Sequence, residues 1–211
     1  MNPETPPPVT TTLLPRVGPT ELVIGGWREA PFTIDLLAPD PQRIELVDIA
    51  YGLAHTLRFG GQTEMPWTVA GHSLFALALA QHYGFDEATQ RNALMHDAAE
   101  AFLGDMMSPV KRALRELELS NMPTSSFDRL EAIWCEAIDQ RFGTSIATTH
   151  ELVKRCDEIA FQIEDHALRG APISVARSIF VPIFRRILGA GEGHLGHVDT
   201  FVAAALKLGL V

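Results

Sequence analysis

The segment from Asn92 to Asp105 constrains this chain most, because it places ligand-type side chains on an otherwise small and apolar stretch. The adjacent residues His96 and Asp97 are followed by Glu100 and then by Asp105, with mostly alanine, leucine, methionine and phenylalanine between them. Such a stretch predicts a largely buried helix. Burial of a carboxylate is costly unless the group is paired or holds a metal ion. The segment therefore requires partners that neutralise its carboxylates.

Two other stretches carry one candidate ligand each. His72 lies on a strongly apolar helical stretch upstream, and Asp157 lies on another stretch downstream. Because consecutive helical residues point about 100° apart, His96 and Asp97 reach one ion only at the flank of their helix. Further ligands must come from elsewhere in the chain. Taken alone, His72 is more often a core histidine and Asp157 more often a helix cap or a surface carboxylate.

The order of these residues carries a family resemblance. His72, the pair His96 and Asp97, and Asp157 form the pattern H…HD…D on separate helices, which resembles the HD-domain metal-dependent phosphohydrolase superfamily. The resemblance covers residues 31 to 170, most of the chain. It implies that these four side chains bind one divalent cation. Mixed nitrogen and oxygen ligation suits Mn²⁺, Co²⁺, Fe²⁺, Ni²⁺ or Zn²⁺ better than Mg²⁺.

Two motifs narrow the resemblance. Residues 96–100 are similar to the HDxxE motif, and residues 104–111 to the GDxxxPxK motif, of small bacterial 5′-deoxynucleotidases. The segments upstream of His72 are similar to HD proteins of bacterial and phage genomes, a group that includes phage enzymes cleaving dATP. The resemblance implies that Glu100 positions or deprotonates the attacking water. It also implies that Asp105 contacts the sugar or the leaving group, although an N-cap is an equally good interpretation of Asp105.

Three residues are candidates for substrate binding. Arg58 precedes Phe59, and a planar guanidinium beside an aromatic ring suits a phosphate or a stacked base. Family position also favours a site role for Arg58. Lys111 suits phosphate oxygens as a point charge, but a solvated helix lysine is an equal alternative.

The leading functional hypothesis is hydrolysis of deoxynucleoside 5′-monophosphates to deoxynucleoside and phosphate. The alternative at the same site is a dATP-type triphosphohydrolase that releases triphosphate from a dNTP. The 17 Lys and Arg residues of the chain, few of them near the motifs, favour the shorter substrate. A non-catalytic metal-binding regulatory module is the alternative of another class.

Composition and charge limit the partners and the location that we expect for this protein. The formal net charge of −9 argues against a nucleic-acid-binding surface. No apolar run of about 18 residues predicts a membrane span, and the N-terminus lacks the pattern of a signal peptide, so we expect a cytoplasmic protein. The two cysteines have no CxxC spacing and predict no structural disulfide. Members of the superfamily that this chain resembles often form homodimers or larger rings, so we expect a homo-oligomer.

The pattern along the chain predicts an all-α HD-domain bundle with a short N-terminal hairpin. Residues 1–20 predict a flexible tail, and residues 21–211 a single domain. Extended pieces are predicted at 21–27 and 31–36. N-caps are predicted at Asp86 and at Thr124 or Ser125. The predicted helices are 43–58, 67–83, 86–103, 108–118, 123–142, 146–169, 174–188 and 195–209.

Overall fold

An antiparallel hairpin precedes a helical bundle. The structure is a computed structural model, and it describes residues 17–25, 28–118, 124–148, 150–190 and 194–211. Strand β1 (Glu21–Ile24) pairs with strand β2 (Phe32–Asp35), so that Glu21 lies opposite Asp35. Residues 1–16 of the predicted tail, and Gly26 and Trp27 of the predicted extended piece, lie outside the described residues. The predicted hairpin is confirmed.

Helices make up most of the rest of the described chain, which confirms the all-α class. Short 3-10 turns occur at Pro41–Arg43 and Arg58–Gly61. The α-helices are α1 (Leu46–His55), α2 (Val69–His82), α3 (Glu87–Met95), α4 (Glu100–Leu103), α5 (Ser108–Leu117), α6 (Ser126–Phe142), α7 (Glu151–Arg169), α8 (Val175–Ser178), α9 (Val181–Ala190) and α10 (His194–Lys207).

The helix boundaries follow the capping residues of the sequence. Asp86 accepts a hydrogen bond from the Thr89 amide at the start of α3. Ser125 and Asp128 form a reciprocal capping box at the start of α6. The predicted helix 174–188 was wrong as a single element, because the chain turns at Ile179 and Phe180 between α8 and α9.

Helix α2 is the centre of the bundle. It contacts α1, α3, α7, α9 and α10, and eleven of its residues are buried. A helix that is apolar on all sides belongs inside a packed domain, since no face is left for water. His72 therefore lies on the central helix, where any polar group needs a partner within the protein.

The predicted helix 86–103 was wrong, because it is interrupted at His96. The ring Nδ1–H of His96 donates to the carbonyl of Ala93, 2.9 Å away. In a continuing α-helix that carbonyl would accept from the amide of Asp97. The backbone instead tightens, and the amide of Glu100 bonds the carbonyl of Asp97, three residues earlier. Residues three apart eclipse in such a turn, so Glu100 lies above Asp97 rather than above His96.

Gly52 lets helix α1 approach helix α4, the helix that begins at Glu100. A Cβ atom at Gly52 would lie 2.5 Å from the carbonyl oxygen of Ala101. We expect Gly52→Ala to lower the free energy of unfolding by about 1–3 kcal/mol, since the backbone must shift to admit a methyl group. Chemical denaturation measures this change.

Gly189→Ala is the matched control, because a Cβ atom there has no neighbour within 4 Å. This variant should raise the free energy of unfolding by up to about 1 kcal/mol, through helix propensity alone. Equal stability of the two variants would contradict the close approach at Gly52.

Candidate metal centre

Four predicted ligands come together from three parts of the fold. Among the described residues, ligand atoms of His72, His96 and Asp157 all lie within 4.8 Å of one another. His72 Nε2 lies 3.2 Å from His96 Nε2 and 3.1 Å from Asp157 Oδ1. Asp97 Oδ2 lies 3.3 Å from His96 Nε2 and 3.5 Å from His72 Nε2. The structure thus places side chains from α2, α7 and the turn between α3 and α4 around one point.

Both imidazole rings are oriented by a bond at the other nitrogen. His72 Nδ1 lies 2.8 Å from Glu164 Oε1, and His96 Nδ1 lies 2.9 Å from the Ala93 carbonyl. A carbonyl or a carboxylate only accepts, so each Nδ1 carries the proton. Each Nε2 therefore faces the cluster as the atom that can bind a metal, which is the arrangement found in metal-ligating histidines.

The spacing of these donors fits a metal ion. Nitrogen and oxygen ligands lie about 2.0–2.2 Å from a divalent ion such as Zn²⁺. Ligands of one ion at that distance are about 3–3.5 Å apart, as the donors around His72 are. Two imidazoles and two carboxylates suit a divalent transition metal better than Mg²⁺ or Ca²⁺. These residues can hold a metal ion, and the donor set leaves its identity open.

The groups around His72 favour its protonated form when no metal ion is bound. Burial and Arg58 lower the pKa of His72, but Glu164 and Asp157 outweigh them and raise it to about 10. Burial raises the pKa of Asp157, but the hydrogen bond from His72 and the electrostatic effect of the nearby His96 hold it well below its usual range. His72 and Asp157 therefore form an ion pair at neutral pH. Metal binding must displace the proton on His72 Nε2.

A cleft of about 590 Å³ opens onto the cluster. It brings the predicted substrate and catalytic residues together with two of the predicted ligands, and it adds several residues that the sequence did not single out. Its lining comprises Arg58, Phe59, Asp97, Glu100, Asp105, Met106, Met107, Ser108, Pro109, Lys111, Arg112, Asp157, Glu158, Phe161 and Arg169. A smaller cavity of about 330 Å³ reaches His96, Asp97 and Asp157 as well, and its lining includes His150 and Lys154.

Arg58 is held at the inner end of the cleft. Its Nη1 lies 3.4 Å from Asp97 Oδ2, and its Nε lies 3.1 Å from Glu164 Oε2. Burial lowers the pKa of this guanidinium, but Glu164 and Asp97 outweigh burial and raise it above its ordinary value. Arg58 is therefore a fixed positive charge next to the candidate metal.

Phe59, the residue after Arg58, has an uncommon backbone conformation. Its φ is 57°, in the left-handed region that bulky residues rarely adopt. The ring is buried, lies 5.7 Å from the ring of Phe161, and has the guanidinium of Arg169 4.5 Å from its centre. These contacts hold a strained turn that would otherwise relax. Arg58, whose side chain reaches the cluster, is the first residue of this turn.

Glu100 is a buried carboxylate facing the cleft. Its Oε2 has no hydrogen-bond partner among the described residues. Burial, together with Asp97 and Asp105, raises its pKa well above the ordinary value despite the opposing effect of Arg58. A carboxylate with a raised pKa and an unoccupied acceptor can take a proton from a bound water near neutral pH.

Asp105 and Lys111 line the same cleft. Helix α5 begins at Ser108 with Met107 at the N-cap position, so the N-cap interpretation of Asp105 was wrong. Burial raises the pKa of the Asp105 carboxyl, and Arg58 opposes this. Lys111 Nζ lies 2.8 Å from Glu131 Oε1. Lys111 therefore lines the cleft while its ammonium group is paired with the carboxylate of Glu131.

Glu164 belongs to the site, and sequence reasoning missed it. It is fully buried, hydrogen-bonds His72 and forms an ion pair with Arg58. Its sequence signal was its spacing, since it follows Asp157 by seven residues and so lies on the same face of α7. One carboxylate thus orients a candidate ligand and a candidate substrate-binding cation.

We expect Glu164→Gln to weaken metal binding about 10–100-fold, because outer partners of metal-binding histidines contribute that much. The amide still accepts a hydrogen bond from His72, but it no longer neutralises Arg58. Titration calorimetry with Co²⁺ measures the change. Glu151→Gln, an exposed substitution in the first turn of the same helix, should bind Co²⁺ like the wild type. Equal affinity of the Glu164 and Glu151 variants would show that Glu164 only fills space.

The state of the two cysteines agrees with the sequence, which predicts no structural disulfide. Cys135 and Cys156 are both free thiols, and burial raises the pKa of Cys135 to about 12 and that of Cys156 to about 11. Neither is a reactive thiolate at neutral pH.

Among the residues that the structure describes, no helix has the length and apolar character to cross a membrane.

Comparison with known sequences gives the relatives of this chain. No protein-family model matches it. The chain is 36% identical over 156 residues to the uncharacterized protein RCAP_rcc00048 of Rhodobacter capsulatus, which covers 70% of this chain and 74% of that protein. It is 38% identical over 72 residues to the uncharacterized protein YfdR of Escherichia coli, which covers 34% of this chain and 37% of YfdR. By the extent of the first similarity, the chain belongs to the family of the Rhodobacter capsulatus protein.

Proposed function

We propose that this protein is an HD-domain metal-dependent phosphohydrolase that acts on nucleotides. The preferred reaction is hydrolysis of a deoxynucleoside 5′-monophosphate to the deoxynucleoside and orthophosphate. One observation carries the proposal: the His72, His96 and Asp157 cluster lies at a cleft that also holds Arg58, Glu100, Asp105 and Lys111. These are the residues that the ordered motifs of the sequence single out.

The proposed metal site explains why two imidazoles and two carboxylates face one another. His72, His96, Asp97 and Asp157 would hold the ion. A divalent ion bound there supplies Lewis acidity, which polarises a phosphoryl oxygen and lowers the pKa of a water. The protein fixes the direction of the donors beforehand, through the bonds at His72 Nδ1 and His96 Nδ1.

The remaining residues move protons and stabilise charge. Glu100, which lines the cleft, accepts a proton from the attacking water. The water oxygen bonds to phosphorus, and the bond from phosphorus to the 5′ oxygen breaks. Asp105, which lines the same cleft, gives a proton to that oxygen as it leaves. Arg58 stabilises the negative charge on the phosphoryl oxygens.

A dNTP triphosphohydrolase is the second candidate function. The observation that favours it is the presence of Arg112 and Arg169 in the cleft, besides Arg58 and Lys111. Longer phosphate chains need such additional cations. However, Arg58, Lys111 and Arg169 each pair with a carboxylate of the protein. This neutralisation leaves less positive charge for a triphosphate, so the monophosphate remains the preferred substrate.

Product analysis tests this proposal. The protein loaded with Mn²⁺ or Co²⁺ is incubated with dNMPs, NMPs and dNTPs, and orthophosphate and triphosphate are measured separately. We expect orthophosphate from dNMPs, and none from Asp97→Ala. Triphosphate from dNTPs would instead establish the second candidate. A protein that binds metal and releases neither product would be a non-catalytic metal-binding module.

A further inference from the structure

Phe161 is a large apolar side chain left exposed inside a charged cleft. It retains 42% of its surface exposure, although it lines the cleft beside Glu158 and Arg169. The other aromatic ring of this cleft, Phe59, is buried. The exposed ring of Phe161 therefore offers apolar surface that nothing in the described residues covers.

The ring of Phe161 packs against the buried ring of Phe59. The rings of Phe161 and Phe59 lie 5.7 Å apart with a tilt of 33°. The guanidinium of Arg169 lies over Phe59, and its Nε pairs with Asp165 on the preceding turn of α7. Aromatic rings and guanidinium planes are the groups on which proteins stack nucleic-acid bases. Phe161 and Arg169 form such a wall of the cleft, which we call the aromatic wall.

The aromatic wall lies at a useful distance from the candidate metal. Phe161 follows the ligand Asp157 by one turn of α7, which corresponds to about 6 Å along the helix axis. Both residues line the cleft. In a nucleoside 5′-monophosphate the sugar separates the phosphate from the base by a comparable span. A phosphate at the cluster therefore leaves the base beside the aromatic wall.

We propose that the aromatic wall is a nucleobase subsite, in which the base stacks on Phe161. This inference rests on the proposed function, because it assigns the phosphate end of the ligand to the metal cluster. Stacking recognises the planar face that all bases share, so the subsite binds bases without demanding one of them. The subsite separates nucleotides from other phosphate esters, such as sugar phosphates.

Binding of an inert analogue tests the subsite independently of catalysis. The probe is a deoxynucleoside 5′-methylenephosphonate, whose carbon–phosphorus bond is not hydrolysed, and the control ligand is the same phosphonate without a base. We expect Phe161→Leu to weaken binding of the probe about tenfold, a typical loss for one stacked base. Phe161→Tyr keeps the ring and should bind within about twofold of the wild type. Binding of the baseless ligand should be the same in all three proteins.

The outcomes separate the two proposals. If Phe161→Leu weakens the probe and the baseless ligand equally, or weakens neither, the base does not stack on Phe161 and the subsite is overturned. If the wild type binds the probe with this pattern but hydrolyses no nucleotide, the subsite stands and the hydrolase falls. If the wild type hydrolyses dNMPs while Phe161→Leu binds the probe normally, the hydrolase stands and the subsite falls. Binding of neither ligand by the metal-loaded wild type overturns the subsite.

Leu117→Ala serves as the surface control for these measurements. Leu117 is also an exposed apolar side chain, at the end of α5, and it does not line the cleft. This variant should bind both phosphonates like the wild type. A loss of binding in Leu117→Ala equal to that in Phe161→Leu would show a general effect of removing surface apolar groups, and it would contradict the subsite.

Discussion

Replacing Asp157 by asparagine should abolish metal-dependent activity and weaken metal binding at least about a hundredfold, more than the loss of an outer partner does. Asp157 Oδ1 lies 3.1 Å from His72 Nε2 and 3.8 Å from His96 Nε2. The substitution keeps the size of the side chain but removes its charge. Calorimetric titration with Co²⁺, and orthophosphate release from a dNMP, measure the two effects.

Glu136→Gln on helix α6 is the control for the lost charge, because Glu136 is exposed and lies outside the cluster. It should bind Co²⁺ and release phosphate like the wild type. Full metal affinity in Asp157→Asn would contradict the proposed ligand set, whatever the activity of that variant.

The same titration has a pH dependence with a defined sign. The pKa of His72 is raised to about 10 in the metal-free protein, so its Nε2 is protonated at neutral pH and must lose that proton to the ion. The apparent affinity for Co²⁺ therefore rises with pH up to that pKa, about tenfold per pH unit for each displaced proton. In Asp157→Asn the pKa of His72 should be lower, because the hydrogen bond to the Asp157 carboxylate raises it in the wild type. Calorimetry in two buffers of different ionisation enthalpy measures the released protons.

Glu100→Gln should lower kcat about a thousandfold while leaving the affinity for the metal unchanged, because general-base catalysis contributes about 10²–10⁴-fold. Glu100 is buried, and its Oε2 has no partner among the described residues, so it is placed to accept a proton rather than to hold structure. Its elevated pKa also predicts an acidic limb, in which kcat/KM falls as the pH drops through that pKa. The variant should lose this limb.

Two readouts keep the prediction for Glu100 distinct from a folding defect. The free energy of unfolding of Glu100→Gln should equal or exceed that of the wild type, because the substitution removes a buried carboxylate that lacks a bond at Oε2. The Co²⁺ titration should be unchanged. Activity within about tenfold of the wild type, with both readouts normal, would remove Glu100 from the role of base.

The sequence predicted the elements that depend on local pattern. The apolar stretch around His72 became the central helix α2, and Asp86 and Ser125 cap helices where such residues are expected. The ordered motif also predicted which candidate ligands meet, because His72, His96 and Asp157 lie close together. The prediction for Asp97 agrees with its short distances to both histidines.

Other features depend on contacts that the sequence does not display. The break at His96 comes from a bond between its ring and the Ala93 carbonyl, which competes with the helix. Glu164 has the spacing of any buried helix position, and only the packing of α7 against α2 shows that it holds His72. Arg169 is far from Arg58 in sequence, and the fold brings both to one cleft. The homo-oligomer and the cytoplasmic location stay predictions.

The most direct test of the account is a metal titration of protein stripped with a chelator, with a dNMP as substrate and orthophosphate as the measured product. We expect negligible release without added ion. Release should rise with Mn²⁺ or Co²⁺ and saturate at one bound ion per chain, as one cluster of His72, His96, Asp97 and Asp157 requires. Release by the stripped protein at the full rate, or none once one ion is bound, would contradict it.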